Sequence, residues 1–228
     1  MSRLRTGTTA PALPATDAAG APLPPVPPDG LTHLQFRRFA GCPICNLHLR
    51  GFAVRHPELR AAGVREVVAF HSPADELRPY ADGLPFPLLA DPERRLYRAY
   101  GVERGARALL DPRVWPSIVL GVLSGVPQVL RGRERLPSAR PSGGRLGLPA
   151  DFLIAADGRL LAAHYGTHAA DHWPVDRVLA LAAEHRPAPT PTPDPTSAPA
   201  PAPTPAPAPA PAAAPTPAAA PGPAALPD

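Results

Sequence analysis

Two cysteines occur in this chain of 228 residues, and they stand three apart in Gly41-Cys42-Pro43-Ile44-Cys45-Asn46. Residues at that spacing lie one turn along the same helix face, so Cys45 can reach back to Cys42 and close a disulfide. A cysteine in the first turn of a helix sees unpaired backbone N–H groups and the positive end of the helix dipole, and both favour thiolate over thiol. In such Cys-x-x-Cys motifs the pKa falls to roughly 3.5–7.5, against about 8.5 for a free cysteine. Cys42 is the more N-terminal of the two and is the expected nucleophile. A thiolate that attacks a hydroperoxide becomes a sulfenic acid, which a neighbouring thiol resolves to a disulfide. A thiolate that attacks a disulfide performs exchange. The residues support both reactions.

The elements around the motif must hold it at a helix start. A strand-like run, His33 to Phe39, precedes it, and a helix is expected from about 43 to 57 with Ile44, Leu47, Gly51 and Val54 on one face. Val67-Val68-Ala69-Phe70 is a short apolar run, as in a strand covered on both faces. Strand, helix and strand fit one βαβ unit. His71 closes the second strand, and parallel neighbours end at the same edge, so His71 should lie near Cys42. There it could relay a proton or polarise a substrate oxygen; the other reading is a strand-end histidine bonded to the next loop. Arg37 and Arg38 alternate across the first strand, so one of them could face the thiolate, and Arg38 is the one assigned a supporting role; the other reading, of equal weight, is a solvated or packing arginine.

Farther along, Ser72-Pro73-Ala74-Asp75 has the cap, first-turn proline and acid of a helix start. Pro85 to Leu89 reads as a short strand. Asp91-Pro92-Glu93 opens a helix that runs to Tyr100 and stops at Gly101. Asp157-Gly158 between two apolar runs, 151–154 and 160–164, is a strong hairpin signal. The last helix spans about 174–185, with Val175, Val178, Leu179 and Ala182 on one face. Val114 to Leu130 carries no charge and is flanked by Arg113 and Arg131. It is at the short limit for a membrane span and is broken by Pro116, Gly121, Gly125 and Pro127, so it reads as an apolar helix docked on the domain or on a partner.

The net charge is +4 and every basic side chain is arginine. The arginines are scattered rather than gathered in a stripe with aromatics, which argues against a nucleic-acid partner. Residues 1–30 lack the continuous apolar stretch of a signal peptide, so a cytoplasmic, reducing location is expected. There a lone cysteine pair serves catalysis or metal binding rather than a structural disulfide. Of the 38 prolines, many alternate with Ala and Thr after Arg186. The expected organisation is a flexible N-terminus over 1–17, one domain over 18–186 and a disordered tail over 187–228.

Three stretches together resemble the peroxiredoxin-like branch of the AhpC/TSA group. They are Phe36 to Leu49; Leu88-Leu89-Ala90-Asp91-Pro92-Glu93 with Tyr100-Gly101-Val102; and Leu148-Pro149-Ala150-Asp151-Phe152-Leu153-Ile154 with Asp157-Gly158. The resemblance covers about 18–185. It implies a thioredoxin-like α/β fold, a central mixed sheet flanked by helices, and antioxidant thiol activity. Small hydroperoxides or disulfides would be substrates, a thioredoxin or glutathione system would be the reductant, and no cofactor is called for. In thioredoxin-like proteins a cis-proline before a strand faces the Cys-x-x-Cys motif, and Pro149 is positioned for that role. Two departures stand out. Peroxiredoxins place Thr or Ser three residues before the reactive cysteine, where this chain has Phe39. With Pro43 directly after Cys42, the motif is closer to the Cys-Pro-x-Cys form of glutaredoxin. Thiol–disulfide exchange is therefore the second reading. A zinc site on Cys42, Cys45 and His48, or an interaction module working through the proline-rich tail, comes third.

Overall fold

The computed structural model describes residues 2–81, 83–105, 107–131 and 140–185. The proline-rich tail, 187–228, and residues 132–139 lie outside the described residues. Five strands form one sheet in the order β3-β2-β1-β4-β5. They are β1 (Leu31–Phe36), β2 (Val64–Phe70), β3 (Leu88–Ala90), β4 (Ala150–Ala155) and β5 (Leu160–Tyr165). β1 pairs in parallel with β2, and β2 with β3. β4 runs antiparallel to β1 and to β5. The sheet is mixed, and the hairpin expected at Asp157-Gly158 joins its last two strands.

Seven helices surround it among the described residues: α1 (Pro43–Val54), α2 (His56–Ala61), α3 (Ala74–Ala81), α4 (Arg95–Ala99), α5 (Arg107–Leu110), α6 (Trp115–Leu130) and α7 (Val175–His185). The two sheet faces bury separate clusters. On one, Leu31, Val68 and Leu153 meet Leu49 and Phe52 of α1 and Val178 and Leu181 of α7. On the other, Leu34, Phe36, Val67 and Phe152 meet Tyr97 and Tyr100. Helices thus cover both faces of the sheet around the strands that carry the motif.

Some boundaries and faces differ from the sequence reading. The buried stripe of α1 is Ile44, Cys45, Leu49 and Phe52, while Val54 is 79% exposed. Arg55 then breaks the helix, and α2 follows. The helix expected from Asp91 starts later, at Arg95, because Arg94 adopts a left-handed conformation at φ 56. The Asp91 carboxylate still caps it, accepting from the backbone N–H groups of Arg95 at 2.8 Å and Tyr97 at 3.1 Å.

The N-terminal segment departs further, since the expected flexible 1–17 is held by hydrogen bonds. The Gly7 N–H donates to Leu160 O at 2.7 Å, the Leu160 N–H to Thr8 O at 2.9 Å, and the Ala10 N–H to Gly158 O at 2.8 Å, at the hairpin turn and the start of β5. The Ala18 N–H donates to Leu88 O at 2.7 Å, on β3. Leu4, Ala10, Leu13 and Leu23 pack under the sheet between these points. Proline and glycine hide this behaviour in a sequence, because the segment makes edge contacts without forming a periodic element of its own.

Candidate active site

The motif sits where β1 hands over to α1. Gly41 turns the chain at φ +75, a conformation that favours glycine. A Cβ there would lie 2.6 Å from the Tyr80 ring and hydroxyl. Cys42 is the N-cap of α1 and Pro43 its first residue, where a missing N–H costs nothing. Cys42 and Cys45 are both free thiols, 0% and 2% exposed.

The two arginines of β1's end part company. Arg38 turns to the motif, with Nη1 3.8 Å from the Cys42 sulfur, and its other amino group donates to the Arg145 carbonyl. Burial by itself pushes the Cys42 thiol up. Donation from the Cys45 thiol, the Arg38 charge and the backbone N–H groups of Cys45 and Ile44 outweigh it and bring Cys42 down to about 7. Burial, and the hydrogen bond and charge of Cys42, hold Cys45 well above the ordinary thiol range. One sulfur is set to be an anion and the other to keep its proton, which is the asymmetry that attack and resolution need.

His71 reaches the expected edge. Its backbone N–H donates to Arg38 O at 3.2 Å, which ties the histidine to the residue whose guanidinium faces Cys42. The ring is buried, and its two nitrogens have no hydrogen-bond partner among the described residues. Burial, then the charges of Arg94 and Arg38, lowers it to about 4, so the ring is neutral at neutral pH. Gly143 and Gly147 close on it, and a Cβ would lie 2.7 Å from Nδ1 or 2.9 Å from Nε2 respectively. Pro149 lies just before Ala150, which pairs with Phe36, so it too is at the motif's end of the sheet. Its peptide bond is trans, as no bond among the described residues is cis. The intrinsic preference of X-Pro bonds prevails here over the expectation of a cis-proline.

The scan against protein families matches residues 51–168 to the AhpC/TSA antioxidant enzymes. The chain belongs to this family.

Solved structures share the fold of this AhpC/TSA protein. Peroxidoxin BcpB of Mycobacterium tuberculosis is 19% identical with a TM-score of 0.54, covering 81% of this chain and 100% of its own. A Cys-to-Ser mutant of peroxiredoxin 6 of Arenicola marina is 14% identical, TM-score 0.55, covering 79% and 72%. Peroxiredoxin Q of Xanthomonas campestris is 17% identical, TM-score 0.50, covering 77% and 92%. No curated protein matches the chain. The matched family segment begins after Cys45, so membership rests on β2 to β5 and the elements between them.

Behind the motif lies a buried polar group that sequence reasoning missed. Arg37 points away from Cys42 into the sheet face under α1. Its Nη2 is 2.7 Å from Asp151 Oδ1 and 2.8 Å from His48 Nε2, and it also donates to Gln35 Oε1. His33 Nδ1 meets Glu66 Oε2 at 2.9 Å, Gln35 Nε2 donates to the same oxygen at 2.6 Å, and His33 Nε2 lies 3.4 Å from Asp151. The Trp173 N–H donates to Asp151 Oδ2 at 3.1 Å. Burial lowers His33, but the charges and hydrogen bonds of Glu66 and Asp151 raise it overall, to about 9. Asp151 is held well below the carboxylate range: burial opposes this, and Arg37 and His33 overcome it. His48, expected as a possible zinc ligand, instead bonds Arg37 and packs at a tilt of 45° against His172, 3.7 Å between centroids. Among the described residues no group of three or more His, Cys, Asp or Glu could hold a metal ion.

Proposed function

We propose that this AhpC/TSA protein reduces hydroperoxides through a Cys42–Cys45 dithiol cycle. The observation that carries the reading is the buried pair with one sulfur lowered to about 7 beside Arg38 and the other held protonated. The Cys42 thiolate attacks the terminal oxygen of ROOH, the O–O bond breaks, and the alkoxide leaves as ROH after taking a proton. Cys42 is then a sulfenic acid. The Cys45 sulfur attacks it, water leaves, and a disulfide remains. Two thiol equivalents from a thioredoxin or glutathione system return the pair to dithiol and leave as a disulfide. Arg38 stabilises the thiolate and the charge that develops on the peroxide oxygens. His71, neutral and bonded through its backbone to Arg38, is the candidate to accept or donate a proton there. Pro43 starts the helix that aims the N–H groups, and Pro149 borders the same edge. The cycle suits a reducing compartment such as the cytoplasm, and no described helix is long and apolar enough to cross a membrane.

The test mixes reduced protein with one equivalent of hydrogen peroxide or an organic hydroperoxide and follows free thiol. Wild type should lose both thiols rapidly, Cys42→Ser neither, and Cys45→Ser should stop at a sulfenic acid. Reaction no faster than that of a free thiol would reject peroxide reduction and leave disulfide exchange as the activity to measure.

A further inference from the structure

α6 has two apolar faces and the domain uses one. Its inner side packs on α1: Gly121 crosses the first turn so closely that a Cβ would sit 3.0 Å from the Pro43 carbonyl. Val114, just before the helix, is buried beneath it. The outer side carries Trp115, Val119, Leu120, Leu123, Val126 and Leu130, which are 46–81% exposed. At 3.6 residues per turn these six span an arc of about 140°. Of the nine large hydrophobic residues described as exposed, seven belong to this one helix, so the exposure is a patch rather than scatter.

Charge frames the patch. Residues 104–145 hold eight arginines against two acids, a net +6 that exceeds the +4 of the whole chain. Arg113 and Arg131 stand exposed at its two ends, and no charged residue lies between them. Trp115, an apolar ring with one polar N–H, is next to the first of these ends.

We propose that the outer face of α6 docks on an anionic lipid membrane, with the helix lying in the plane of the interface. A helix of 16 residues is about 24 Å long and does not span a bilayer, but it is of suitable size to lie along one. The width of the arc favours a bilayer over a second copy: helix-to-helix packing covers a narrow seam, whereas a lipid surface covers the whole face. The flanking arginines match lipid phosphates and anionic headgroups. Docking would bring the start of α1, and Cys42 with it, within one helix diameter of the acyl region. The proposal itself requires only binding and stands whether or not Cys42 reduces peroxides.

The experiment is co-sedimentation of the full chain with vesicles of phosphatidylcholine alone or of equal parts phosphatidylcholine and phosphatidylserine. An arginine near an anionic surface adds about fivefold to binding, so Arg113 and Arg131 together should favour the anionic vesicles by about 25-fold. Leu120→Glu with Leu123→Glu should weaken that binding at least about tenfold and leave the reaction with hydrogen peroxide unchanged. Arg113→Glu with Arg131→Glu keeps the apolar face and should bring anionic binding down to the neutral level, which separates lipid docking from misfolding of the first variant. No sedimentation with either vesicle, or equal sedimentation with both, would overturn the proposal. So would a lipid-free dimer that the double leucine variant dissociates, which would assign the face to a second copy.

Discussion

Replacing Arg38 with methionine removes a positive charge 3.8 Å from the Cys42 sulfur and keeps most of the apolar stem. At that distance the attraction is about 1 kcal/mol if screened as in water and about 4 kcal/mol at an effective dielectric of about 20. At 1.36 kcal/mol per pH unit, the thiol should rise by about one to three units. From about 7, Cys42 would then titrate between roughly 8 and 10. The thiolate fraction at neutral pH would fall from about half to about a tenth or less, so alkylation there should slow at least about fivefold. The assay is the rate of iodoacetamide labelling of Cys42 against pH, with the two cysteines resolved by peptide mass. Wild type and Arg38→Met should converge at high pH, where both are ionised. Arg38→Lys, which restores the charge, should recover most of the shift. A midpoint in Arg38→Met within a few tenths of wild type would refute the reasoning, and the helix start and Cys45 would then be the groups that ionise Cys42.

The polar core and the turn give further expectations. His33 is raised to about 9 in the folded protein, so its contribution is complete below the unfolded value of about 6.5 and is lost as pH rises through about 9, by up to about 3 kcal/mol. Cys42 titrates with the opposite sign over part of that range, so urea unfolding at about pH 6 and about pH 9.5 belongs in a Cys42→Ser background; equal stability at both would contradict the raised value. Asp151→Asn leaves the buried Arg37 and His33 without their shared anion and should cost about 3–5 kcal/mol in denaturant unfolding. A loss below about 1 kcal/mol would mean that water or a neighbour replaces the carboxylate. Gly41→Ala forces a side chain into a left-handed turn and against Tyr80, so it should cost about 2 kcal/mol and slow the Cys42 reaction. Unchanged thermal stability would show that the loop relaxes freely.

How much of this was legible in the sequence depended on distance along the chain. The motif, the βαβ unit around it and the Asp157-Gly158 hairpin are local patterns, and each formed where the residues indicated. The place of His71 just past the end of β2 followed from strand direction alone. The core of His33, Glu66 and Asp151 was not legible, because its members come from three strands and meet only through register: His33 stands opposite Glu66, and Gln35 opposite Asp151. Read singly, Glu66 in Arg65-Glu66-Val67 looks like an exposed position on a strand. The same limit applies to α1, where spacing alone favoured Val54 over Phe52 and only the sheet beneath decided between them. Alternation put Arg37 and Arg38 on opposite faces, and the packing at the end of β1 gave Arg38 the side of Cys42 and Arg37 the polar core.

The N-terminal strap sets an order of events in synthesis. Its residues 7–10 emerge first, but they bond to Gly158 and Leu160, about 150 residues later. At 5–20 residues per second the ribosome leaves them without that partner for about 8 to 30 s. Once β5 is made, the waiting strap covers the start of its outer row at Leu160, and an unpaired edge row is a template for another chain. A chain that started at Ala18 would keep the motif and all five strands, yet the start of β5 would stay open permanently. Such a truncation should first be seen as association between copies during expression, before any loss of thiol chemistry.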